Sequence, residues 1–215
     1  VVKSSWDNLE GTTLTSKKNH VFAKGGIEHR SPVDGLELVE NQAVVALSNI
    51  PDRPGIAAEL FESLSEGGVN VDLIIQATHQ INSNDITFTV AENELNNAQT
   101  QCEKLINNIG GEISSHKNLT KLSIHGAGIM GRPGIASSLF QTLSDSGINI
   151  RLIATSEVKV SCVIDAELGK KALRNVGEVI KLTDNQITLN PTIENNNEPA
   201  VRGIALDKDQ IQISV

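Results

Sequence analysis

The sequence predicts a protein of the α+β class in which one β-α-β-β-α-β unit occurs twice in tandem. A stretch of 22 residues that starts at Arg53, RPGIAAELFESLSEGGVNVDLI, returns 79 residues later at Arg132 as RPGIASSLFQTLSDSGINIRLI, with 13 of the 22 positions identical. Around each copy, segments with alternating apolar residues flank segments whose apolar residues recur at helical spacing. The repeat therefore predicts one small unit built twice.

The predicted elements of the first copy are a strand at 43–49, a helix starting at Pro54-Gly55, strands at 69–77 and 85–90, a helix at 92–108 and a strand at 111–116. Proline suits the first helical turn because it has no N–H to satisfy there. Gly67-Gly68 follow the first helix, as is typical of a helix C-terminus. Ile56, Leu60 and Leu64 lie on one predicted face of that helix, which indicates an amphipathic helix packed on a sheet.

The second copy is predicted to contain a strand at 119–126, a helix from Pro133-Gly134 to Gly147, strands at 148–156 and 158–164, and a helix at 166–180. Its closing strand has two candidates, which are residues 185–190 and the N-terminal segment GLELVEN at 35–41. The order of elements in both copies is that of the ferredoxin-like unit.

Composition limits the classes of partner and location. The net charge of −8 disfavours nucleic acid and anionic membranes as partners, since both attract basic surfaces. No apolar run approaches the roughly 20 residues that span a bilayer, and the N-terminus has no signal-peptide pattern. Cys102 and Cys162 fall inside predicted elements, so we expect reduced core residues of a cytoplasmic protein.

The repeated element has the groups needed to bind a free amino acid. The first N–H groups of a helix lack internal partners and attract a carboxylate, and Gly55 lets a ligand approach them closely. Asp52, just before the turn, offers a charge for an ammonium group, and Asn70 offers both a donor and an acceptor. The alternative is that Pro-Gly only starts the helix and that Asn70 only caps a turn.

The two copies differ at charged positions. Asp52 corresponds to Gly131 and Asp72 to Arg151, while Glu157 is a carboxylate specific to the second copy. The sequence has no phosphate-binding loop, no nucleophile elbow, and no cysteine, histidine and carboxylate set with metal-ligand spacing. We therefore predict no catalytic site, no metal site and no cofactor in this chain.

Several runs resemble the paired ACT domains of aspartate kinases: PDRPGIAAELF, GVNVDLIIQ, DITFTV, KLSIHGAGIMGRPGIASSLF and GINIRLIATSEVKVSCVID. SSWDNLEGTTLTS resembles the segment that joins that family's kinase domain to its regulatory region. AVRGIALDKDQIQISV resembles the strand pair that leads into another ACT pair, as in the cyanobacterial type with four ACT domains. The family's kinase motif is absent from the chain.

The resemblance implies a domain organisation in which the first ACT domain is inserted after the first strand of the second. The implied segments are a linker from a kinase domain at 1–34, a first ACT domain at 42–117, a second ACT domain formed by 35–41 and 118–190, and a linker with the start of a further ACT pair at 191–215. ATP and Mg²⁺ would belong to the kinase domain of the parent aspartate kinase.

The resemblance also implies an allosteric module that binds lysine, threonine or both for feedback inhibition of aspartate-family amino-acid biosynthesis. The positions that match effector contacts are Asp52, Gly55, Ala57, Asn70, Val71, Asp72 and Gln76 in the first domain and Asn149, Ile150, Ser156 and Glu157 in the second. Asp72 or Glu157 would pair with the ε-ammonium of lysine. We expect a homodimer through ACT–ACT contacts; the alternative function is a free-standing amino-acid sensor that acts on another partner.

Overall fold

The structure is a computed structural model that describes residues 32–80, 82–129 and 132–191. Its strands are β1 (Gly35–Pro51), β2 (Val71–Gln80), β3 (Ser83–Ala91), β4 (Glu112–His125), β5 (Leu152–Thr155), β6 (Lys159–Asp165) and β7 (Ile187–Leu189). Its α-helices are α1 (Ile56–Glu66), α2 (Leu95–Ile109), α3 (Ile135–Asp145) and α4 (Gly169–Ile180). The predicted linkers at 1–34 and 191–215 lie mostly outside the described residues, which include only 32–34 and 191 of them.

The strands form one seven-stranded sheet in the order β2-β3-β1-β4-β6-β5, with β7 beside β1. Residues 42–51 of β1 pair antiparallel with β3, and the start of β4 pairs with the same part of β1. This part of the sheet and helices α1 and α2 form the first repeat. The second repeat consists of the start of β1, the end of β4, β5, β6, β7, α3 and α4. The α+β class and the tandem arrangement are therefore confirmed.

Strands β1 and β4 each cross from one repeat to the other. The sequence predicted separate strands at 35–41 and 43–49, and again at 111–116 and 119–126, whereas each pair forms one continuous strand. Asn41 and Asn118 adopt left-handed backbone conformations, with φ of 55° and 58°, where the strands cross. The register of the β1–β4 ladder shifts there, which allows two differently oriented halves to share one hydrogen-bonded ribbon.

Both candidates for the closing strand of the second repeat form strands. Residues Gly35–Val39 of β1 pair with Lys121–His125 of β4, and β7 pairs in parallel with the outer side of β1. The predicted strand at 148–156 is shorter than expected, because regular pairing begins only at Leu152. Just before it, the backbone N–H of Arg151 donates to the carbonyl of Val163 at 2.8 Å.

Each repeat has its own apolar core between its helices and one face of the sheet. Phe88 and Leu60 are fully buried in the first core, and Leu122 and Leu139 in the second. Cys102 and Cys162 are buried free thiols, as predicted, and burial raises the pKa of both to about 12.

A third apolar cluster joins the two repeats on the face of the sheet opposite the four described α-helices. It consists of strand residues only: Val44, Leu119, Leu152 and Val163, with Leu73, Ile75 and Ala154 packed against them. Strands β2 and β5, which are the two ends of the sheet, contact each other here. The sheet therefore curls so that its two halves meet over this cluster.

Candidate functional site

Each repeat presents a helix N-terminus that no side chain of the described residues caps. Gly55 precedes α1 with φ of 94°, and Gly134 precedes α3 with φ of 101°, and within the described part of the chain neither helix has a side-chain capping hydrogen bond. Only glycine adopts this left-handed conformation readily. The exposed start of each helix therefore keeps N–H groups and the positive end of the helix dipole available to a carboxylate.

Asp52 lies beside the start of α1 and is held there by the β2–β3 turn. Its N–H donates to the carbonyl of Asn82 at 3.1 Å, and its Oδ1 accepts a hydrogen bond from Asn84 Nδ2 at 2.7 Å. Nearby, Arg53 binds Glu59 through two nitrogen–oxygen contacts of 2.7 Å. Because the guanidinium of Arg53 is hydrogen-bonded to Glu59, the pKa of that carboxyl falls below its usual value. The cation next to Asp52 is thereby engaged elsewhere.

Asn70 lies at the other end of α1 from Gly55. The helix has 11 residues, so about 16 Å separates its two ends. Asn70 is exposed, and its N–H donates to Glu94 Oε2 at 2.9 Å. Within one chain the structure therefore does not bring Asn70 to the helix start where sequence reasoning placed the ligand carboxylate.

A cleft of about 580 Å³ is lined in part by the predicted residues Asn70, Val71 and Asp72. Its opposite wall is formed by strands of the second repeat and includes Glu37, Lys121 and Lys159. Lys159 Nζ lies 2.7 Å from Glu37 Oε2. The charges that line this cleft are therefore largely arranged as ion pairs.

Asp72 is paired with Lys121, whose side chain is only 10% exposed, whereas that of Asp72 is 43% exposed. In the other repeat, Arg151 pairs with Asp165, with Nε and Oδ1 at 3.1 Å. The equivalent positions Asp72 and Arg151 therefore carry opposite charges because each forms an ion pair with a residue of opposite charge nearby. Asp72 thus already has an ion-pair partner within the chain, and its role as a partner for the ε-ammonium of lysine, one of two that the sequence offered, stays a prediction.

The predicted residues of the second repeat also lie in two separate places, one at each end of strand β5. Asn149 and Ile150 line a cleft of about 420 Å³ beside the end of α3. Ser156 and Glu157 lie in the β5–β6 turn, where the Ser156 N–H donates to the carbonyl of Lys159 at 2.8 Å. Glu157 is exposed, and its carboxylate has no hydrogen bond or ion pair with the described part of the chain.

The remaining predicted positions belong to the first repeat. Ala57 is half-buried in the first turn of α1 and packs on the first core. Gln76 is exposed on β2, two residues after Ile74, whose exposed fraction is 51%. Sequence reasoning missed Asn84 and Lys121, because a polar turn residue and a lysine within a strand carry no motif.

Comparison with known proteins identifies the repeated unit. A family model described as the ACT domain matches the chain twice, at residues 45–105 and 122–179. The chain belongs to the ACT-domain family. It is a tandem ACT region of the kind found in aspartokinases, as the following relatives indicate.

An aspartokinase of Helicobacter pylori is 34% identical over 182 residues, which is 85% of this chain and 44% of that protein. The regulatory subunit of aspartate kinase from Thermus thermophilus, in its ligand-free form, superposes with a TM-score of 0.64 at 38% identity and covers 69% of this chain and 98% of that subunit. Aspartate kinase from Synechocystis superposes with a TM-score of 0.74 at 42% identity, over 80% of this chain and 30% of that one. The ACT tandem thus spans less than half of the full-length aspartokinases.

Two further observations concern the described residues alone. None of their helices is long and apolar enough to cross a bilayer. They also hold no group of three or more histidine, cysteine or carboxylate side chains arranged to bind a metal ion.

Proposed function

We propose that this ACT tandem is the regulatory part of an aspartate kinase and that it binds lysine, threonine or both as feedback effectors. The observation that carries the proposal is the pair of uncapped helix starts at Gly55 and Gly134, repeated in a chain of the ACT family. The carboxylate of a free amino acid is the ligand group that such a helix start favours. Next to the first one, Asp52 supplies a negative charge for the α-ammonium.

The complete site forms between ACT units of two chains. Ser83 pairs both with Gln80, at the end of β2, and with Pro51, which lies shortly before α1. The end of β2 is therefore near the start of α1, whereas Asn70 lies just before the start of β2. When edge strands associate around a two-fold axis, the start of one strand faces the end of its partner. Such pairing would place Asn70 or Asn149 of one chain beside a helix start of the other, and Gln76 would lie between the two ends.

Apolar edge strands support this association. Ile74 on β2 and Ile153 on β5 occupy equivalent positions in the two repeats and are 51% and 42% exposed. Open strand edges with exposed isoleucine favour contact with another chain. We therefore propose a homodimer through ACT–ACT contacts. Sedimentation at high micromolar concentration tests it, and a strict monomer with and without both amino acids would contradict it.

The two repeats differ in the carboxylates they offer to an effector. Asp52 has no counterpart in the second repeat, where Gly131 occupies the equivalent sequence position, and Glu157 has a carboxylate that is exposed and unpaired in the described structure. Lysine needs a carboxylate for its ε-ammonium. We propose Glu157 for that role ahead of Asp72, because Lys121 already neutralises Asp72.

The effector acts on a catalytic domain that this region does not contain. By resemblance that domain binds ATP and Mg²⁺ and precedes the ACT tandem in a cytoplasmic enzyme. In the cyanobacterial type a second ACT pair follows this tandem. Effector binding would shift its conformational equilibrium by the difference in affinity between two states. The second candidate function is a free-standing amino-acid sensor, which the same binding site supports equally.

Calorimetric titration of the 215-residue chain with each of the twenty amino acids tests the proposal. We expect binding of lysine, threonine or both and no heat from the others. Binding of neither lysine nor threonine would overturn it. The natural reading frame upstream of Val1 separates the two candidates, because a kinase domain encoded there favours the aspartate kinase and its absence favours the sensor.

A further inference from the structure

We propose that Asn84 is a positioning residue that aims the Asp52 carboxylate at the α-ammonium of the bound effector. This inference rests on the proposed function, because it concerns the same amino-acid site. Asn84 Nδ2 donates to Asp52 Oδ1 at 2.7 Å across 32 residues of sequence. Asn84 is only 4% exposed, whereas Asp52 is exposed at the start of α1.

The β2–β3 turn fixes the entry to α1 at several successive points. The carbonyl of Asn82 accepts the Asp52 N–H, Ser83 pairs with Pro51, and Asp85 Oδ1 accepts the N–H of Asn49 at 3.0 Å. The buried amide of Asn84 therefore belongs to a hydrogen-bonded frame around the loop. A carboxylate that accepts a bond from this frame loses rotational freedom before a ligand arrives, which lowers the entropy cost of binding.

The chemical type of the partner separates Asp52 from Asp72. An amide donates a hydrogen bond without adding a positive charge, so Asp52 keeps its full negative charge for an ammonium. Asp72 is instead paired with the ammonium of Lys121. Arg53, the nearest cation in sequence to Asp52, is held by Glu59. The site thus orients one carboxylate without neutralising it.

The test uses the 215-residue chain and two pairs of ligands. Threonine is compared with β-hydroxybutyrate, and lysine with ε-aminocaproate, because each analogue lacks only the α-ammonium. In Asn84→Ala we expect about a tenfold weaker affinity for the amino acid and less than about a twofold change for its analogue. In an Asp52→Asn background the same change should weaken amino-acid binding by less than about twofold, since Asn84 acts through Asp52.

Two further variants serve as controls. Asn84→Leu removes the donor but keeps the branched shape of the side chain at this buried position, and it should reproduce the effect of Asn84→Ala. Asn175→Ala removes a comparable amide donor on α4, whose Nδ2 donates to Ser146 Oγ at 2.8 Å. It should leave the affinities for the amino acid and for its analogue unchanged. Circular dichroism verifies the fold of every variant.

The outcomes separate the two proposals. If the wild type binds an amino acid but folded Asn84→Leu binds it equally well, the positioning role is wrong while the proposed function stands. Equal losses for the amino acid and its analogue, or additive losses with Asp52→Asn, also overturn the positioning role. If the wild type binds neither lysine nor threonine, the proposed function fails and this inference fails with it.

Discussion

Removing either partner of the Asp72–Lys121 ion pair is expected to destabilise the fold to different extents. Lys121 is nearly buried and Asp72 is about half exposed, with side-chain exposures of 10% and 43%. Asp72→Ala leaves an ammonium with little access to water. Lys121→Met leaves a carboxylate that water can solvate and keeps the apolar part of the lysine side chain. The first change should therefore cost more stability than the second.

The magnitude follows from the burial of the partner that remains. Removing one member of a fully buried pair costs about 3–5 kcal/mol, and the partial exposure here reduces the expected cost of Asp72→Ala to about 2 kcal/mol. Lys121→Met should cost less than about 0.5 kcal/mol, near the value for exposed pairs. For a chain of this size these values correspond to melting temperatures lower by about 4–8 °C and by less than about 2 °C.

Thermal unfolding followed by circular dichroism measures both variants and the double variant. The double variant should resemble Lys121→Met, because no buried charge is then left unpaired. Equal destabilisation by the two single variants, or a double variant as unstable as Asp72→Ala, would refute the reasoning. Titration of folded Asp72→Ala should show lysine and threonine affected alike, which departs from the sequence-based expectation that Asp72 selects lysine.

Three other perturbations have definite expected results. Asn70→Ala and Asn149→Ala should each weaken effector binding by about tenfold to a hundredfold in calorimetry, because each removes a hydrogen bond to a charged group that is worth about 1.5–3 kcal/mol. Both variants should stay folded, and unchanged affinities would exclude both residues from the site. Gly134→Ala should lower the free energy of unfolding by about 1–2 kcal/mol in urea titrations, since φ is 101° and no atom lies within 4 Å of the added Cβ, so an unchanged midpoint would refute the backbone argument. Cys102 and Cys162 have folded-state pKa values of about 12, against 9.0 for a free thiol. The thiols of the unfolded chain therefore ionise first, and the free energy of unfolding should fall as pH rises above about 9. In the double variant Cys102→Ala/Cys162→Ala that part of the fall should disappear.

The repeat and the two hydrophobic periodicities were sufficient to predict the α+β class and nearly all of the elements. Both periodicities are local properties, because a helix buries one stripe and a strand buries alternate residues in whatever fold they join. The start of α1 at Pro54-Gly55 and the burial of Cys102 followed for the same reason. The continuity of β1 through Asn41 could not be predicted from the sequence, since an asparagine with a left-handed backbone within a strand has the same sequence signature as a turn.

The elements that carry the candidate residues were predictable from the sequence, whereas the neighbours of those residues in space were not. The sequence located Asp52 and Gly55 at a helix start and proposed Asn70 as their neighbour, and the length of α1 separates Asn70 from them within one chain. Only the tertiary structure revealed that Lys121 compensates Asp72 and that Asn84 holds Asp52. Both contacts join residues far apart in the chain, 49 and 32 positions respectively. Such contacts depend on which strands lie side by side and in which register, and no local pattern in a single sequence indicates that arrangement.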